Sequence, residues 1–345
     1  MNYSDLILES TPVVLSSELR VLEFVASSPS TFAIKLGETT LLSQTYTPDA
    51  DDKIYIYDID KLVELALTAP VDEFTFVWNG EECVKRVLFC NSSISMPTQF
   101  FCLYKFLSPC FDRRITSPSR TEKLYFFNIL NLQTKIHVYA TYYNDGVVST
   151  KEFESWSDYG PIEEIDVSPA NYIDNSLGRL VQYKIKVLER EMVYNVERDK
   201  PDTICFMYKN MFGLNEYIYF TGVIESDSLI TRHQATIHGV TEVYDIEEEQ
   251  IFSVRTGPMT WSMHPLVIDL CRSKSIKIFD KNAYSVYQSF FPIIITDCDL
   301  KTNNADNTIA DFEIKFKYAK DKPHHIVVPF GPDSVFDKTF DDTFN

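Results

Sequence analysis

Short runs in which apolar and charged residues alternate limit the possible fold of this chain more than any other feature. In FEIKFKYA (312–319) and VQYKIKV (181–187) apolar and charged or polar residues alternate. Because successive side chains of a β-strand point to opposite faces, this period predicts strands with one face on a core and the other in water. Other short runs, rich in Tyr, Phe, Ile and Val, also read as strands: KIYIYDI, EFTFVW, LYFFNIL, IHVYATYY, EYIYFTGV, FPIIIT and HIVVPF.

Helical patterns are few and short. DIDKLVELALT (58–68) places an Asp before a run with Leu62, Leu65 and Ala66 on one face, and HPLVIDLCRSK (264–274) has Pro265 in its first turn. Since strands follow one another with few helices between them, we predict an all-β chain. The expected architecture is two or three antiparallel β-sandwich modules in series with a few short helices.

Two breaks in the strand pattern suggest how the modules are divided. Residues 108–123 (SPCFDRRITSPSRTEK) combine two Ser-Pro steps with a basic cluster and have no periodicity, so we expect a linker there. A second break is expected at 226–234. The predicted organisation is an N-terminal sandwich (1–107), the linker (108–123), a second sandwich (124–225), a third β-rich module (226–330) and an aromatic-acidic tail (331–345).

A weak internal echo is consistent with two related modules. Tyr46-x-Pro48 precedes an apolar strand and a short helix that begins after an Asp, and Tyr159-x-Pro161 precedes a strand and a Ser-Pro start of a short helix. The spacing differs by several residues, so the sequence leaves open whether this is a duplication or a coincidence.

Charge and motif content exclude several classes of function. The net charge of −18, without a basic run longer than Arg113-Arg114, disfavours direct nucleic-acid binding. No run is long enough and apolar enough to insert in a membrane, and the N-terminus lacks the features of a signal peptide. The seven cysteines have no CxxC spacing, and we expect buried free thiols. Nucleotide-loop, HExxH, EF-hand and GxSxG patterns are missing, so we predict no enzyme, cofactor or metal site.

Two apolar segments are candidate subunit contacts. Gly213 and Asn210 supply turn chemistry between two strand runs, yet Met211, Phe212 and Leu214 make the tip of this turn apolar. Such a tip needs cover from its own chain or from another subunit. At the C-terminus Phe336, Phe340 and Phe344 are spaced four apart among acids and threonines. This tail either packs on its own domain or docks in a groove of a neighbouring subunit.

Four stretches together resemble a loose group of structural proteins from phages and prophages of Bacteroides-like gut bacteria. They are YTPDADDKIYIYDIDKLVE, YNDGVVSTKEFESWSDYGPIEEIDVSPANYI, MYKNMFGLNEYIYFTG and the ending FDKTFDDTFN, about a quarter of the chain. The resemblance implies a β-sandwich component of a virion tail, baseplate or connecting ring. It carries no active-site residues.

The leading hypothesis is therefore a virion structural protein that assembles with itself, in a ring or another homo-oligomer, and with other virion proteins. Such a protein is synthesised in the cytoplasm of the bacterial host and ends in the virion. The alternative is a carbohydrate-binding or adhesin sandwich, in which Trp78, Trp156 and Trp261 stack on sugars; these residues can equally belong to cores or interfaces.

Overall fold

The computed structural model describes residues 13–129, 131–198, 204–279, 290–300 and 311–319. These residues form an all-β chain, as the strand patterns predict, with several sheets and three α-helices in the described part. The helices are α1 (Ile59–Ala66), α2 (Thr98–Tyr104) and α3 (His264–Arg272). The first and third of them lie in the two stretches predicted to be helical.

The first unit is a sandwich of a five-stranded and a two-stranded sheet. Its strands are β1 (Val13–Leu15), β2 (Val21–Val25), β3 (Ser30–Leu36), β4 (Thr39–Tyr46), β5 (Lys53–Tyr57), β6 (Val71–Trp78) and β7 (Glu81–Leu88). The large sheet has the order β1-β7-β6-β3-β4, in which only β1 and β7 are parallel, and β2 pairs with β5. Phe24 of β2 stacks on Trp78 of β6 with ring centroids 4.1 Å apart, so the core lies between the two sheets.

The second unit repeats this arrangement. Its strands are β8 (Arg113–Thr116), β9 (Lys123–Phe127), β10 (Lys135–Asn144), β11 (Val147–Trp156), β12 (Ile162–Asp166), β13 (Arg179–Val187) and β14 (Arg190–Val196). The large sheet has the order β8-β14-β13-β10-β11, β8 is parallel to β14, and β9 pairs with β12. The alternation in β10 buries Ile136, Val138, Ala140 and Tyr142.

The two units thus have the same topology, strand for strand. In each unit the larger sheet and the two-stranded sheet form a β-sandwich. The echoed stretches occupy equivalent places: β5 is followed by α1, and β12 is followed by a 3₁₀ turn at Pro169–Tyr172. A duplication of one module would produce both the shared topology and the echo. Such a fold does not by itself specify a function.

The third unit is built differently. Its strands are β15 (Ile204–Lys209), β16 (Asn215–Phe220), β17 (Ile224–Ile237), β18 (Val240–Arg255), β19 (Ile276–Phe279), β20 (Phe290–Asp299) and β21 (Glu313–Tyr318). They form one antiparallel sheet in the order β16-β15-β19-β20-β21-β18-β17. The sheet curls, since Phe206 of β15 contacts Phe316 of β21 across two intervening strands. Leu266, Val267 and Leu270 of α3 fill the concave side.

The sheets correct the predicted module boundaries. Strands β15 and β16 pair within the third sheet, so residues 204–220 group with the third unit and not with the second. Residues 226–234, predicted to be a break, lie inside β17. The predicted linker at 108–123 contains β8, and its residues include the buried Ser108, Cys110, Arg114 and Glu122. Arg114 pairs with Glu216, about a hundred residues later in the chain, and a local pattern cannot reveal such a partner.

Candidate assembly surface

A long hairpin projects from the third unit. Strand β18 pairs with β21 only from Phe252 to Arg255, whereas its pairing with β17 continues to Val240. About twelve residues of each strand therefore extend beyond the sheet, which corresponds to roughly 40 Å. We call residues 226–251 the hairpin arm. In the described part of the chain, no further strand pairs with it.

The turn at the end of the arm is tight. His238 and Gly239, with φ of 52° and 81°, form a two-residue connection with both φ values positive. Turns of this kind have the same twist as the strands that they join, so they support tight hairpins. The sequence signal for the arm is this His-Gly turn between ATI (235–237) and VTEVY (240–244), which are rich in β-branched residues.

The arm has two faces that differ in charge. Directly paired residues of antiparallel strands have their side chains on the same face of the sheet. We call the inner face the one that carries Phe252, because the Phe252 ring stacks on Phe316 of β21 in the core. Beyond Phe252 the inner face carries three exposed apolar side chains, Ile230, Val243 and Ile246. It also carries one positively charged residue, Arg232, and one negatively charged residue, Glu248.

The outer face is acidic. A register shift between His233 and Gln234 makes room for the bulged Tyr244, which lies beside His233 with ring centroids 6.0 Å apart. Five carboxylates of the arm lie on this face: Asp227, Glu242, Asp245, Glu247 and Glu249. The Lys317 ammonium is 2.8 Å from Glu249, and His233 Nε2 is 3.4 Å from Glu247. The outer face also carries the exposed Leu229.

The apolar tip between β15 and β16, predicted as a candidate subunit contact, is covered by other residues of the same chain. Met211, Phe212 and Leu214 are buried in a cluster with residues of the first and second units, and the Phe212 ring stacks on Phe101 of α2. The prediction that these three residues contact another subunit is therefore wrong, and the other reading of the tip, intramolecular cover, is correct.

Polar contacts fix this loop from three sides. The Asn210 side-chain oxygen accepts the N–H groups of Phe212 and Leu214, while its amide donates to the Leu107 carbonyl at 3.0 Å. The Met211 N–H donates to Asp269 of α3, also at 3.0 Å. Gly213 adopts φ of +72° against the Phe89 ring, so this turn favours glycine.

A buried ion cluster joins the second and third units beside this loop. The Arg114 guanidinium of β8 lies 2.8 Å from Glu216 of β16 and 3.5 Å from Glu122, and it also donates to Ser108. Burial raises the pKa of Glu122 to about 6, although the Arg114 charge opposes the rise. Burial likewise raises the pKa of Asp269 to about 7, against the effect of the Met211 hydrogen bond.

A second buried guanidinium fixes the second unit to α2. Arg190 of β14 donates to the carbonyls of Lys105 at 3.2 Å, Phe127 at 2.8 Å and Cys102. Burial lowers its pKa to about 10. Hydrogen bonds to three carbonyls tie the end of α2 to two strands, so the three units share a junction dense in directional contacts.

The tryptophan candidates are dispersed. Trp78 is buried in the first core, which contradicts a sugar-stacking role for this residue. Trp156 is 60% exposed at the end of β11, and Trp261 packs against His264 with ring centroids 4.2 Å apart. The structure does not bring the three together. Phe336, Phe340 and Phe344 lie outside the described residues.

Polar clusters and clefts offer little chemistry within the described ranges. Two exposed groups each combine a histidine with two carboxylates, and His137 Nδ1 is already 2.8 Å from Glu152 in the first of them. A cleft of about 90 Å³ between the second and third units is lined in part by Arg120, Tyr219 and Met259. Pockets for organic ligands are typically about 300 Å³ or larger.

Comparison of the chain with protein-family models finds no match, and comparison with curated proteins finds no significant similarity. None of the helices in the described residues is both long and apolar enough to span a membrane.

Proposed function

We propose that this chain is a structural component of a phage virion, in the tail, the baseplate or a connecting ring, and that the hairpin arm is its main contact with neighbours. In this role it performs no chemistry. It associates with copies of itself and with other virion proteins after synthesis in the host cytoplasm. The observation that carries the proposal is the projecting arm, about 40 Å of paired backbone beyond the sheet.

The contrast between body and arm supports this role. The apolar loop at 211–214, Arg114 and Arg190 are all buried at one junction, which suits a body that keeps its shape when neighbours bind. The arm instead exposes both faces and the outer edge of β17. Unpaired strand edges and exposed apolar groups attract other chains, so proteins that function as monomers usually cover or shorten them.

A mass-spectrometric inventory of purified particles from the lysogenic host tests the proposal. We expect the chain as a stoichiometric particle component, and we expect a variant with residues 228–250 replaced by Asn-Gly to be missing from particles while remaining folded. Absence of the natural chain from particles would contradict the proposal. Incorporation of the shortened chain at normal levels would contradict the role of the arm.

A glycan-binding role is a second candidate, favoured by one observation. Trp156 and Tyr159 are 60% and 74% exposed near the end of β11, and exposed aromatic rings can stack on sugars. A glycan array with the natural chain and with Trp156→Ala tests it. Binding that is lost in the variant supports the role, whereas no binding by the natural chain rejects it.

A further inference from the structure

The hairpin arm needs cover, because two strands alone are only marginally stable in water. Three or more strands, or a packed layer, are usually required for an independent sheet. Beyond Phe252 the arm has only its own two strands in the described part of the chain. Ile230 is 53% exposed and Ile246 is 58% exposed, so the inner face lacks a packing layer.

We propose that the inner face of the arm packs against the inner face of the arm of a second copy of this chain. The proposal rests on the proposed assembly function and adds the identity of one partner and of the contacting face. Both faces of the arm carry apolar side chains, so charge decides which face pairs: the outer face is acidic, whereas the inner face carries one cation and one anion.

Charge excludes the outer face as a contact between copies. Pairing two outer faces would place five carboxylates of one copy near five of the other, and like charges in a desolvated contact are strongly unfavourable. The chain has 50 acidic and 32 basic residues, so repulsion of this kind is a general obstacle to its self-association.

The inner face meets the requirements of a symmetric contact. In a twofold dimer the same patch occurs on both sides, so it must be complementary to itself. One inner face brings one cation, Arg232, and one anion, Glu248, around Ile230, Val243 and Ile246. Two such faces bring two cations and two anions around six apolar side chains, without net charge. The acidic outer faces then remain in water on both sides of the packed pair.

The area of the arm predicts a weak pair. One face of a two-stranded ribbon roughly 40 Å long and 10 Å wide offers about 400 Å² per copy, half of a standard interface of about 800 Å² per partner. We therefore expect reversible dimers at high protein concentration. A twofold contact links only two copies, so in a larger assembly it adds to other contacts between subunits; where many such pairs act together, their combined strength far exceeds that of one pair.

Neighbouring residues of β17 provide a matched test. Ile230 points to the inner face and Leu229, 63% exposed, points to the outer face of the same strand. Sedimentation velocity of the full chain from about 10 μM to about 1 mM gives the dimer dissociation constant. We expect Ile230→Ser to raise it at least about tenfold, because its side chain is buried in the dimer, and Leu229→Ser to change it less than about twofold.

A charge exchange tests the face independently. Arg232→Glu gives the inner face two negative charges, so association should be lost, and adding Glu248→Arg to that variant restores neutrality and should restore association. Both variants change exposed positions of the arm, and circular dichroism checks that they fold.

Several results would overturn the pairing. One is a wild-type chain that stays monomeric to about 1 mM; another is equal weakening by Leu229→Ser and Ile230→Ser. A third is association that persists in the Ile230→Ser variant but disappears on removal of residues 331–345, which would make the tail the contact. If particles contain the chain while ultracentrifugation finds only monomers, the pairing is wrong and the virion role stands.

Discussion

The β15–β16 and β17–β18 hairpins of the third unit both carry apolar side chains beyond their own sheet, but only the first is covered. Met211, Phe212 and Leu214 are buried among residues of the first and second units. The arm exposes Ile230 and Ile246. Residues 211–214 include no charge, whereas acids recur along one face of the arm. The charge pattern, more than apolar content, separates a segment buried by its own chain from one presented to other molecules.

The largest expected effect follows from removing the buried ring of the first hairpin. Phe212→Ala should lower the free energy of unfolding by about 3–5 kcal/mol, because it leaves a cavity in a cluster shared by three units. The matched change in the arm, Ile230→Ala, should stay within about 0.5 kcal/mol at concentrations where the chain is monomeric. Denaturant unfolding measures both, and equal losses would show that the arm is packed like the core.

The ion cluster should be the next most sensitive feature. Glu216→Gln weakens a buried charge-assisted hydrogen bond to Arg114, so we expect a loss of about 1.5–3 kcal/mol in the free energy of unfolding. Glu82→Gln removes an exposed pair with Lys35 and should cost less than about 1 kcal/mol. A Glu216 variant as stable as the Glu82 variant would mean that the junction is hydrated.

A smaller effect depends on pH. Since burial raises the pKa of Asp269 to about 7, folding favours its neutral form. That stabilising contribution is complete below about pH 4, the ordinary Asp pKa, and is lost as the pH rises through 7. Asp269→Asn still accepts the Met211 hydrogen bond and cannot ionise, so its melting temperature relative to wild type should rise by a few degrees from pH 5 to pH 8.

Asp174, 2.9 Å from the Lys151 ammonium, offers the control for this pH dependence, because hydrogen bonds from Ser176 and Lys151 lower its pKa to about 2. Asp174 is ionised at both pH values, so Asp174→Asn should have a melting temperature that differs from wild type by the same amount at pH 5 and pH 8. If Asp269→Asn behaves in the same way, the Asp269 carboxylate is hydrated in the folded chain and the account of its pKa is wrong.

Local patterns predicted the strands well because alternation records which face is buried. β13 and β21 lie where alternation placed them, and α1 begins directly after Asp58 as predicted. The shared topology of the first two units was visible in the sequence only as two short Tyr-x-Pro echoes. Parallel pairing of β1 with β7 joins residues far apart in sequence, and no local signal encodes it.

The candidate site was predicted less well, for physical reasons. Residues 108–123 are polar and aperiodic, but Arg114 is buried because Glu216, a hundred residues later, neutralises it. In the arm, Ser226 and Asp227 suggest a break, although the register with β18 continues through them. Whether an apolar tip is covered by its own chain depends on tertiary contacts, so Phe212 could not be assigned from sequence.

Hydrogen–deuterium exchange followed by mass spectrometry tests the central claim most directly, because it compares the two hairpins in one sample. In dilute monomer we predict fast exchange of amides in 226–251 and slow exchange in 204–220. In assembled protein, 226–251 should become protected while 204–220 stays unchanged. Arm amides that are already slow in the monomer, or that stay fast in the assembly, would contradict the claim that the arm is the surface through which this chain assembles.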